Sequence, residues 1–150
     1  MRFWKPIFVH NSGVPKLLSW FSPICIGAIT LGFIVVADHQ MNEETMRHET
    51  IHFQQFLEMG FLFFILVYVW DWVWGCVKYK DPSLSYYMIR AEREAHNNDK
   101  DPNYLKNRVR YEWLFKDDDP LVWLLKKKVQ YDVSKRCWLR FGRRFYNLDY

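Results

Sequence analysis

Residues 60–77 are apolar except for Asp71, and no other stretch of this 150-residue chain restricts its fold as strongly. As a helix the segment would measure about 27 Å at about 1.5 Å per residue, close to a hydrocarbon core of about 30 Å. Asp71 and the neighbouring Trp70, Trp72 and Trp74 suit a membrane interface better than a bilayer centre, and Lys78 and Lys80 follow where anionic headgroups would lie. A helix that dips into or lies on a membrane is expected, with a buried core helix as the alternative. The other apolar run, residues 23–37, is interrupted by Gly27 and Gly32 and is short for a span. It predicts two buried strands, roughly 24–30 and 32–37.

Composition points the same way. With 50% hydrophobic and 19% aromatic residues, the chain carries more apolar surface than a small domain hides comfortably, which implies a membrane or partner surface. A mean hydropathy of -0.28 argues against a polytopic membrane protein. Cys25, Cys76 and Cys137 are far apart and odd in number, so no disulfide framework is expected, and a reducing compartment or its membrane face is favoured. Residues 1–6 lack the apolar core of a signal peptide. Membrane association at the cytoplasmic face is the resulting expectation.

Chemistry enters at His48-Glu49-Thr50-Ile51-His52, which fits H-E-x-x-H. Residues four apart share a helix face, so His48 and His52 can present imidazole nitrogens to one ion, with Glu49 beside it as a general base. Asn42 can cap this helix, Glu43 and Glu44 suit the positive end of its dipole, and no glycine or proline follows until Gly60. The bland reading is an amphipathic helix with two polar-face histidines. Glu49 to His52 also fits the Glu-x-x-His of di-iron bundles, but the second copy is missing, because Glu92 and His96 are four apart.

A catalytic zinc site needs a third protein ligand and an open position. The best source is residues 91–96, in a segment that Asp81 can cap and Pro82 can start as a helix. Glu92 shares a face with Met88, Ile89, Ala95 and His96, whereas Glu94 shares one with Tyr87, Arg90, Asn97 and Asn98. Glu92 is therefore the expected ligand, and Glu94 a solvated carboxylate or one that supports a ligand from behind. A surface Glu-Arg-Glu cluster is the bland alternative. Beyond it, Asp101-Pro102 predicts a further helix with Leu105, Val109 and Trp113 as its core stripe.

These blocks resemble the gluzincin metallopeptidases, especially the minigluzincins and the membrane kinds related to CAAX prenyl proteases and BlaR-type sensor peptidases. They also resemble small bacterial and phage proteins with H-E-x-I-H-x-x-Q-x-x-E, E-x-E-A-x-x-N and Y-L-x-x-R runs, here residues 48–58, 92–98 and 104–108. The resemblance covers roughly residues 15–115. It implies a zinc ion on His48, His52 and Glu92, Glu49 as base, and a small sheet whose edge strand holds an extended peptide. One departure is His96, which stands where membrane members carry an aspartate that orients a zinc-bound histidine.

The expected fold is α+β and mostly helical: a small N-terminal sheet, then the H-E-x-x-H helix, a membrane-leaning helix and a glutamate-bearing helix. Residues 1–117 would form this metallopeptidase-like domain. The acidic turn Asp117-Asp118-Asp119-Pro120 leads into a basic, aromatic extension, residues 118–150. Residues 121–150 carry a net charge of +6 against +4 for the whole chain, so the tail can attract acidic lipids or, less favourably, nucleic-acid phosphates. The expected function is zinc-dependent hydrolysis of peptide bonds in a peptide or protein substrate. The alternative is an inactive membrane-surface or nucleic-acid interaction protein whose H-E-x-x-H is a relict.

Overall fold

The computed structural model describes residues 4–20 and 26–116. Its frame is set by the helix that carries the histidines, α2 (Glu43–Met59). Asn42 caps it by accepting the Thr45 N–H at 2.8 Å, and Glu43 and Glu44 occupy its first turn. Gly60, at φ 73°, ends α2 and at once starts α3 (Phe61–Tyr79), so the two long helices are joined by one residue in a conformation that glycine adopts without strain. The buried face of α2 mixes Ile51 and Phe53 with Glu49, His52 and Gln55. A helix that buries this many polar groups must find partners for them.

Three short strands precede α2: β1 (Ile7–Val9), β2 (Ala28–Leu31) and β3 (Ile34–Ala37), with α1 (Val14–Ser19) between the first two. β2 and β3 form an antiparallel hairpin closed by Gly32-Phe33, with Gly32 at φ 63°. β1 adds in parallel to the other side of β3, giving the order β1-β3-β2. The expected pair of strands is present but shorter and less buried: the first starts at Ala28, after irregular backbone at Ile26 and Gly27, and has no buried residue, and the second starts at Ile34, itself exposed, because 32 and 33 make the turn. β1 was not anticipated. Its three residues pair only through a long-range parallel contact, for which local pattern carries little signal.

α4 (Pro82–Met88) starts as expected, with Asp81 Oδ1 accepting the N–H groups of Ser83 and Leu84 at 2.9 and 3.1 Å. It does not run through to the glutamates. Ile89 leaves helical geometry at ψ 129°, and α5 (Arg90–Asn98) begins afresh, so Met88 does not belong to the helix that carries Glu92. α3 lies along both. Gly75 meets α4 so closely that an added Cβ would stand 2.9 Å from the Ser85 Cβ. Asp71 turns inward, where Arg90 Nε and Nη2 bind its carboxylate at 2.9 and 2.8 Å. This pair ties α3 to α5.

The expected helix after Asp101-Pro102 is replaced by two four-residue helices, α6 (Tyr104–Asn107) and α7 (Glu112–Phe115). Trp113 is buried as foreseen, but Val109 is 60% exposed. The physical cause is Arg108, drawn inward in an extended backbone conformation by ion pairs to Glu58 and Glu94. The fold is α+β and mostly helical with a small N-terminal sheet. Cys25, Cys137, the acidic turn at 117–120 and the basic extension 118–150 lie outside the described residues.

Candidate metal centre

α5 crosses the middle of α2, and the crossing brings Glu92 against His48 and His52. The two Nε2 atoms lie 3.1 Å apart; Glu92 Oε1 is 3.3 Å from His52 Nε2, and Oε2 is 3.6 Å from His48 Nε2. A tetrahedral zinc ion with bonds of about 2.0–2.2 Å holds its ligand atoms roughly 3.3–3.5 Å apart. The imidazole nitrogens and the Glu92 carboxylate stand within a few tenths of an ångström of that spacing, with Oε1 on the His52 side and Oε2 on the His48 side. Glu92 Oε2 is also buried without a hydrogen-bond partner; His48 and His96 Nε2 each stand 3.6 Å from it. An orphaned carboxylate oxygen facing imidazoles is the environment a cation fits.

The surroundings decide which nitrogens are free. Gln55 Nε2 donates to Glu94 Oε2 at 2.6 Å and to the Ala91 carbonyl at 3.0 Å, so its amide cannot be turned round. Gln55 Oε1 must then be the atom 2.8 Å from His52 Nδ1, which makes Nδ1 the protonated nitrogen and leaves the Nε2 lone pair for the centre. His48 Nδ1 faces Asp99 Oδ2 at 3.5 Å, with the same consequence. Asp99, the C-cap of α5, is held in turn by Arg47 Nε, which donates to its carbonyl at 2.7 Å.

Two lone pairs 3.1 Å apart repel unless a cation lies between them, and without a metal that cation is a proton. Burial lowers the pKa of His48, but Asp99 and Glu92 outweigh it and push the imidazole up to about 10. His52 is raised as well, its desolvation overcome chiefly by the charge of Glu92. Glu92 is held well below the usual carboxylate range: burial opposes ionisation, and the two imidazoles more than compensate.

Glu49, the expected base, is buried, and its Oε2 accepts from Thr30 Oγ1 at 2.7 Å. Thr30 belongs to β2, so the sheet orients the glutamate. A cavity of about 400 Å³ opens here, and His48, Glu49, His52 and Glu92 all line it. Tyr68 Oη donates to Glu92 Oε1 at 2.6 Å from α3. Tyr86, also lining the cavity, is kept as the neutral phenol by burial and by the negative charge of Glu92.

Glu94 is buried rather than solvated, and it stands behind His52 through Gln55, the other position expected for it. Tyr104 Oη and Arg108 Nε reach its Oε1 at 2.6 Å each, while Gln55 and Arg108 Nη2 reach Oε2 at 2.6 and 3.1 Å. Arg108 also pairs with Glu58 of α2. Thus Gln55, Glu58, Glu94 and Arg108, scattered over three sequence blocks, form one buried network behind His52. His96 packs its ring 4.5 Å from that of His48 and sets Nδ1 3.6 Å from Asp99 Oδ2. Asp99 Oδ2 thus faces the Nδ1 atoms of both His48 and His96, and its place just after α5 was the only sequence clue to it. Thr30 and Tyr68 carried none. Comparison with family models, with curated proteins and with solved structures found no match.

Proposed function

We propose that this chain is a zinc-dependent peptide hydrolase that works at a membrane surface. One observation carries the reading: two imidazole nitrogens 3.1 Å apart meet the Glu92 carboxylate, Oε1 at 3.3 Å from His52 and Oε2, which has no hydrogen bond, at 3.6 Å from His48, beside an open cavity that Glu49 also lines. Two nitrogen donors and one oxygen donor suit zinc and leave a position for water. Zinc bound there would polarise a carbonyl and lower the pKa of a water from 15.7 to about 7.

The remaining chemistry belongs to the chain. Glu49 takes a proton from the attacking water and returns it to the leaving nitrogen. Thr30, engaged on Oε2, holds the carboxylate in one orientation throughout. Tyr86, a neutral phenol in the cavity wall, is a donor suited to an oxygen that gains negative charge. β2 is the edge strand of the sheet and all four of its residues line the cavity, so an extended peptide can pair with it by main-chain hydrogen bonds. The membrane setting rests on α3, which is long and apolar enough to cross a membrane by length and composition.

The test is zinc stoichiometry in purified full-length protein together with turnover of a peptide library. About one zinc per chain, lost in His48→Ala and in Glu92→Ala, is expected, and Glu49→Gln should keep the metal and lose turnover. Folded protein without zinc would overturn this reading in favour of a relict motif.

A further inference from the structure

The cavity beside the metal centre has an unusual wall. Of its lining residues, Leu31 is 43% exposed, Phe61 55%, Ile65 38% and Val69 48%. The rim of the cavity is therefore itself exposed apolar surface. It continues outward in two directions that are remote in sequence. One is the rest of α3, where Leu62, Phe63, Leu66 and Trp70 stand exposed. The other is the tip of the β2–β3 hairpin, with Phe33 and Ile34. Phe56 joins them, lying within 4.0 Å of the Cβ position of Gly32 and stacking edge-on with Phe61 at 5.4 Å.

The order of residues along α3 says what covers this surface. Phe61 to Val69 contains no charge; the exposed Trp70 and Trp74 follow, while Trp72 turns inward and donates to the Pro82 carbonyl; Lys78 and Lys80 come last. Hydrocarbon, then aromatic, then cationic is the order met on passing from acyl chains through the interface to headgroups. The one acidic residue, Asp71, is removed from that surface by its pairing with Arg90. The cavity lies beside the charge-free half of the helix, so its mouth is at the lipid end.

We infer that the cavity opens into lipid, and that the substrate is an apolar segment of a membrane polypeptide that enters between the hairpin tip and the start of α3. A polypeptide is favoured over a lipid because all four residues of β2, an edge strand among the described residues, line the cavity, and its backbone groups are ones that an acyl chain cannot use. The inference rests on the zinc hydrolase reading, and its test is built so that the two fail separately.

The first arm is flotation of the full-length protein with phosphatidylcholine vesicles containing phosphatidylglycerol. Wild type should float; Leu62→Glu with Trp70→Glu, both on the outer face of α3, should not, with zinc content unchanged. Flotation that survives the double substitution overturns the lipid seat. The second arm measures the affinity of zinc-loaded protein for acetohydroxamate, trialanine hydroxamate, trileucine hydroxamate and N-methylated trileucine hydroxamate. Trileucine should bind about tenfold or more tighter than trialanine for each side chain that enters the cavity, and N-methylation should weaken it at least tenfold. Leu31→Arg with Ile65→Arg should bring trileucine down to the trialanine level. Equal binding of the two peptides overturns the apolar cavity, and indifference to N-methylation overturns the polypeptide assignment. If acetohydroxamate itself does not bind, the metal reading has failed rather than the substrate class.

Discussion

Gln55 stands between His52 and Glu94, accepting from one and donating to the other at 2.8 and 2.6 Å, and so converts the position of a buried carboxylate into the tautomer of an imidazole. Replacing it with leucine removes that instruction while leaving His52, Glu92 and the Arg108 pairs in place. Zinc affinity should fall about ten- to a hundredfold, as is usual when the group behind a ligating histidine is lost. A chelator-competition titration measures this; unchanged affinity would mean that packing alone orients His52.

Protonation and metal compete for His48. Its folded pKa of about 10 lies above the ordinary 6.5, so in metal-free protein its contribution to stability is complete below 6.5 and is lost as pH rises toward 10. Glu92 is depressed, so its contribution is present above 4.5 and is lost as pH falls through the lowered value. Metal-free protein should therefore have its highest Tm between about pH 4.5 and 6.5. Zinc affinity should instead rise with pH, with proton release that titration calorimetry in two buffers of different ionisation enthalpy can count. Asp99→Asn removes part of the support for the imidazolium and should flatten the Tm profile on its alkaline side.

Arg108 holds two carboxylates, and its side chain is only 5% exposed. Arg108→Leu would leave Glu58 and Glu94 charged, buried and without their cation. The expected loss is about 3–5 kcal/mol in denaturant unfolding. A loss under about 1 kcal/mol would show that water reaches these carboxylates.

Gly75 tests the seat of α3 on α4. Glycine to alanine inside a helix ordinarily gains up to about 1 kcal/mol. Here the new Cβ would stand 2.9 Å from Ser85 Cβ and 3.2 Å from its Cα, a backbone atom that cannot swing away. Gly75→Ala should instead destabilise by about 1–3 kcal/mol, and Ser85→Gly in the same chain should recover part of it. Thermal unfolding of the two variants beside wild type decides the sign.

What local sequence determined is what one helix or turn can encode. Four-residue spacing set His48 and His52 on one face; Asn42 and Asp81 set helix starts; Gly32 and Gly60 set sharp turns, because only short-range sterics and hydrogen bonds are involved. Tertiary structure decided the rest. The break at Ile89, the parallel addition of β1, the unwinding around Arg108 and the approach of Thr30, Tyr68 and Asp99 all depend on groups far apart in the chain. The letters of the three motif blocks were visible from the start, and Glu92 was the expected companion of His48 and His52, yet the network behind them was not. Buried donors and acceptors must be satisfied at once, and that condition can be met only after α2, α5 and the segment after α5 have come together.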